Sequence, residues 1–213
     1  MRKILALIAI ASLQLVWCGN AFSKDIGYGE IREDVYFNQY FDLSIPVPND
    51  WAVQSKAAIE EISELGSDLI SGDDKNLQAI LKEADKQTIN MFAFFKYEQG
   101  APVDFNPSMM AVAERVAHMP GIKRGSDYHF HVKKVLQSGQ LKYSFPKEIY
   151  TKVISSISFD VMPAEITLGS VVIHQEYYAA RINDYVLGFI LSYSSESELE
   201  ELNQAIGLLK FSD

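Results

Sequence analysis

The chain has 213 residues, 48% of them hydrophobic and 12% aromatic, with a formal net charge of −9. That length holds one domain of ordinary size, and the aromatic share excludes a disordered chain. The acidic balance argues against generic nucleic-acid binding, and a single cysteine excludes an internal disulfide and any multi-cysteine metal site.

Arg2 and Lys3 open the chain, and residues 4–17 follow without a charge. The run is shorter than the ~20 residues that a membrane-crossing helix needs. A basic start and a short apolar run predict a signal peptide over residues 1–23 and a periplasmic or secreted product. Ala21 and Ser23 supply the small residues for cleavage after Ser23, with cleavage after Ala21 as the second option. Cys18 offers the alternative of a lipid-modified, membrane-anchored N-terminus, although Trp17 stands where that pattern wants a small residue. Cleavage after Ser23 leaves 190 residues, no cysteine and a net charge of −11.

Residues 24–35 are polar and charged and read as a flexible lead-in. Residues 36–47 read as a strand pair, with Phe41, Leu43 and Ile45 alternating with polar neighbours and Asn38-Gln39 as the turn. Pro46 and Pro48 stop the pairing, and Trp51 follows as an apolar anchor. Ala58, Ile59, Ile62, Leu65 and Leu69 predict one face of a helix that Ser71-Gly72 ends. Asp73 or Asp74 caps a second helix carrying Leu77, Ile80, Leu81 and Ala84. Residues 88–97 are almost continuously apolar, as a strand covered on both faces requires. Residues 108–116 read as strand or helix, and Ser126 or Asp127 caps a helix bearing Tyr128, Val132, Val135 and Leu136. Strands follow at 141–145, 154–161, 170–181 and 185–194, the last two joined through Ile182-Asn183-Asp184. Ser195 and Glu198 form a capping box for the closing helix. Strands at both ends with helices between them predict a single α+β domain over residues 36–213, a largely antiparallel β-sheet covered by α-helices.

Tyr36-Phe37-Asn38-Gln39-Tyr40-Phe41 and the Pro48-Asn49-Asp50-Trp51 turn resemble the entry hairpin of the PsbP-like fold. Ile173-His174-Gln175-Glu176-Tyr177-Tyr178-Ala179 and Tyr185-Val186-Leu187-Gly188-Phe189 are similar to its meander strands, and Asn106-Pro107-Ser108 to a middle anchor. That superfamily includes photosystem II extrinsic subunits and DcrB-like exported bacterial proteins. The resemblance implies an α/β/α sandwich and a binding or assembly role, and it carries no catalytic residue set. Fold alone does not fix function.

Catalytic chemistry finds little footing in the residues. His129 and His131 form a close pair that would share a face on a strand, as half of a metal site, but would diverge on the helix preferred here. His174 and Glu176 have period-two spacing, so a carboxylate beside an imidazole gives a candidate base for a small-ligand binder or hydrolase in a cleft. Gly125-Ser126 and Gly169-Ser170 lack the second glycine of a nucleophile elbow, and no glycine-rich phosphate loop is present. The expectation is a protein without catalytic activity or cofactor, meeting an envelope protein or assembly.

One stretch departs from the acidic whole. Residues 122–152 carry seven basic residues against two acidic ones, while the rest of the processed chain has ten against twenty-six. Lys123, Arg124, Lys133 and Lys134 are the candidate patch for an anionic partner.

Overall fold

The computed structural model describes residues 26–212, so the signal sequence, Cys18 and both cleavage options lie outside the described residues. β1 (Glu30–Arg32), β2 (Val35–Asn38) and β3 (Leu43–Pro46) form an antiparallel meander. Of residues 24–35, expected as a flexible lead-in, Lys24 and Asp25 lie outside the described residues, and the rest is tied to the domain. β1 pairs with β2, and Ile26 is buried in the core. Periodicity gave no sign of it because β1 is three residues long and Ile26 is an isolated apolar side chain. The Asn38 carboxamide turns the chain by accepting from the N–H groups of Tyr40 and Phe41.

β4 (Ala52–Val53) leads into α1 (Lys56–Ser71) and α2 (Lys75–Asp85). Ser55 caps α1, and Asp74 caps α2 by accepting from Asn76 and Leu77 N–H. The buried face of α1 is Ile59, Ile62, Ser63, Gly66 and Ile70, while Leu65 and Leu69 are exposed. The predicted face was therefore rotated: Gly66 lies on the packed side, and two leucines that extended the apolar stripe point outward.

β5 (Thr88–Phe95) and β6 (Ser108–Arg115) follow, then α3 (Gly125–Ser138) and the two-residue β7 (Tyr143–Ser144). The strand expected at 154–161 is instead a hairpin of β8 (Tyr150–Ile154) and β9 (Ile157–Leu168), turning at Ser155-Ser156. Both serines have positive φ, 46° and 68°, as a tight two-residue turn demands. β10 (Val171–Ile182), β11 (Tyr185–Tyr193), α4 (Glu196–Gly207) and β12 (Lys210–Phe211) complete the chain. The predicted Ser195–Glu198 capping box is in place.

The large sheet runs β4-β5-β6-β11-β10-β9-β7, with β8 also on β9, and all its pairs are antiparallel. It separates two apolar clusters. On one face α1, α2 and α3 set Ile59, Leu77 and Val132 against Phe95, Met110 and Ile190. On the other, α4 and the small sheet β1-β2-β3-β12 set Leu202, Ile206 and Ile45 against Phe94, Phe159 and Phe189. The alternating pleat of each strand feeds both clusters, which is why β5, β6 and β11 read as apolar runs without alternation. Trp51 closes the entry turn, its backbone N–H bonded to Pro48 O and its indole to Glu201 on α4.

Candidate functional site

His174 and Glu176 lie on the sheet face that α4 covers, but they do not pair with each other. His174 stands opposite Glu165 on β9 and Tyr193 on β11. Its Nδ1 lies 3.2 Å from the Glu165 carboxylate, and its ring stacks on Tyr193 with centroids 5.3 Å apart. Glu176 is held by phenols: Tyr150 and Tyr178 donate to its two carboxylate oxygens at 3.0 and 2.9 Å. Lys152 donates to the Tyr178 hydroxyl at 3.2 Å and to the Asn203 carbonyl on α4 at 2.7 Å. The expected imidazole–carboxylate dyad is thereby corrected, because the neighbouring strand presents a carboxylate closer in register than the one two residues along.

The electrostatics of this cluster favour a structural role. Burial and the Glu176 carboxylate push the Tyr150 phenol up to about 12, and burial drives the Tyr178 phenol higher still. Burial draws Lys152 below its ordinary value, with Glu176 opposing. The donors and acceptors satisfy one another in a chain from β8 to α4.

A cavity of about 250 Å³ lies elsewhere, between α1 and the start of β5, and Lys56, Glu60, Asp85 and Asn90 are among its lining residues. The Lys56 ammonium rests 3.5 Å from the centroid of the Tyr28 ring at its mouth.

α3 is seated by a residue that the sequence did not single out. Asp160 on β9 accepts from the Ser126 N–H at 2.7 Å, capping the first turn of the helix from another element. Its other oxygen accepts from the Thr151 hydroxyl at 2.9 Å, and its backbone carbonyl takes the His129 Nε2 proton at 2.9 Å. Burial works to raise the Asp160 carboxyl, but the Ser126 and Thr151 donors and the Arg124 guanidinium outweigh it and hold it below the usual carboxylate range. Gly125 is required here, because a Cβ would come 2.1 Å from the Ala179 carbonyl oxygen. The helix thus begins at Gly125 with Arg124 in the cap position, two residues ahead of Ser126 and three ahead of Asp127, the expected caps, while Asp127 accepts from the Lys123 and Arg124 N–H groups.

α3 also separates the two histidines. His129 is buried, and a carbonyl partner fixes its proton on Nε2; His131 lies at the flank with its ring edge-on to Phe130. Burial lowers both imidazoles. Among the described residues, no three His, Cys, Asp or Glu side chains converge as metal donors.

Of the candidate patch, Lys123 and Arg124 stand at the start of α3, and Lys134 is exposed on its outer face. Lys133 turns to the flank, its ammonium 4.7 Å from the centroid of the Phe145 ring. The structure spreads the four residues along one helix.

A further polar pair lies on this same α3-covered side of the sheet. Glu114 on β6 is 1% exposed and accepts a 2.6 Å hydrogen bond from Tyr128 on α3, while its Oε1 has no partner. Burial pushes its carboxyl up to about 8, with the Tyr128 hydrogen bond opposing. A glutamate within the apolar run 108–116 was the available signal.

No family model matches the chain, and no curated protein matches it. Among solved structures it is similar to cyanobacterial PsbP (CyanoP) from Synechocystis, with a TM-score of 0.50 and 10% identity over 93% of this chain and 99% of that one. A Bacteroides thetaiotaomicron structure matches with a TM-score of 0.43 and 10% identity over 80% of this chain and 45% of that one, so the chain spans under half its length. A protein of unknown function from Pseudomonas aeruginosa matches with a TM-score of 0.38 and 15% identity over 54% of this chain and 78% of that one. The end-to-end likeness to CyanoP gives this chain a PsbP-like α+β fold.

Proposed function

We propose that the chain is an exported, non-catalytic binding or assembly protein of a bacterial envelope, acting without a cofactor on an envelope protein or assembly and with no part in nucleic-acid binding. The observation that carries the non-catalytic reading is the closure of the Glu176 cluster. Both carboxylate oxygens are taken by tyrosine hydroxyls, and the neighbouring phenols are held protonated by burial. Export rests on the basic, then apolar, then small-residue order of residues 1–23. Among the described residues, no helix is long and apolar enough to cross a membrane.

The mass of the N-terminal peptide, taken from fractionated cells, tests this reading. Lys24 or Phe22 as the first residue in a periplasmic or secreted fraction is the expected result. An acylated Cys18 moves the protein to the lipid-anchored alternative. An intact Met1 in the cytosolic fraction overturns the proposal.

A further inference from the structure

α3, β7 and β8 build one side of the molecule, and that side differs from the rest in charge and in exposed apolar surface. Of the seven basic residues in 122–152, only Arg124 has a carboxylate within 4 Å among the described residues, with Nε 3.8 Å from Asp160. Lys152 turns to the opposite face, into the Glu176 cluster, and the other five lysines form no ion pair among the described residues. Lys134 holds its ammonium 4.2 Å from the centroid of the Phe130 ring, and Lys133 similarly covers Phe145 beside β7. Phe130 is 56% exposed and Val153 65%, the two highest values among the exposed large apolar side chains of the described residues. Val153 belongs to this side because Thr151, two residues earlier on β8, bonds the same Asp160 that caps α3.

We propose that this side docks on an anionic lipid surface. Lys123, Lys133 and Lys134 lie among headgroup phosphates, and Phe130 and Val153 reach the boundary of the acyl region. With Lys152 set aside, lysine in five of the six remaining basic positions favours a lipid sheet over a protein partner, because protein interfaces are depleted in lysine and use the planar, bidentate arginine instead. The strongly acidic remainder of the chain sharpens the orientation, since an anionic surface repels it while attracting the basic side. The inference deepens the envelope reading by naming a partner chemistry, and it rests on that reading for its setting.

Vesicle flotation with the chain purified as the cell processes it tests the proposal. Binding to phosphatidylglycerol–phosphatidylcholine vesicles, absent with phosphatidylcholine alone and lost between about 0.05 and about 0.5 M salt, is expected. Lys134→Gln lowers partitioning about fivefold, and Lys133→Gln with Lys134→Gln lowers it by more than about tenfold. Phe130→Ser weakens binding and leaves the preference for anionic lipid intact. Lys82→Gln, on exposed α2 surface, changes nothing, and circular dichroism confirms that each variant is folded. Equal binding to both vesicle types, no binding to either, or unaltered binding by the double-lysine variant overturns the proposal. Capture by soluble polyglutamate with the vesicles ignored also overturns it, in favour of an acidic protein partner. The assay reads the surface itself, so its failure removes the docking face and leaves the N-terminal mass test to decide export.

Discussion

Glu114 is an acid without a local charge partner, set between β6 and α3 and bonded to Tyr128. Tyr128 bonds Oε2, and Oε1 has no hydrogen-bond partner among the described residues. The folded Glu114 pKa of about 8 stands above the ordinary 4.5, so the folded state holds a proton that the unfolded chain releases between those values. The contribution is fully present below about 4.5 and is lost as pH rises through about 8. At about 1.4 kcal/mol per unit, the fall amounts to several kcal/mol. Urea unfolding of the wild type therefore shows declining stability across that window, and Glu114→Gln flattens the decline and exceeds the wild type above it. A wild-type profile that is flat over the window contradicts the assignment. The residue-scale features that matter most here were the least legible in sequence. Asp160 caps a helix 34 positions away, and Gly125 is demanded by the Ala179 carbonyl on β10. Period and composition register neighbours along the chain, whereas both constraints arise across the fold. His129 and His131 were different, because helical spacing alone placed them on separate faces.

Elements were legible wherever one face was wet. The caps at Asp74 and Ser195 and the entry hairpin follow from local hydrogen-bond chemistry, which the sequence carries in a few adjacent residues. α1 misled because Leu65 and Leu69 continue an apolar stripe, yet the close-packed side includes Gly66 and Ser63. The β8–β9 hairpin was hidden by its turn. Ser155-Ser156 occupies positive φ at both positions, where Asn-Gly is the usual signal, and without that signal the strand reads as one. The strain is a testable quantity. Ser156→Gly removes the Cβ from a left-handed position and raises stability by about 1 kcal/mol in denaturant unfolding, while Ser155 keeps its bond from the Phe211 N–H. A loss of stability in that variant contradicts the turn.

At the scale of the molecule, a sheet covered on both faces explains the high apolar content and the continuous apolar strands. The same packing leaves chemistry to the margins. The Glu176 cluster is knitted shut under α4, and the Glu114 pair is sealed under α3. The open features are the lysines of α3 and the exposed Phe130 and Val153 along α3 and β8. Composition carried this charge asymmetry in linear form, but which basic residues face solvent together became visible only once β8 was paired beside the helix. On the docking proposal, the protein works through this surface. Hydrogen exchange on the chain, free and bound to phosphatidylglycerol vesicles, is the decisive measurement. Slowed exchange at 123–138 and 143–154, with β1, β2 and β3 unchanged, is the predicted result; protection confined to the small sheet or to α1 and α2, with α3 unaffected, would contradict it.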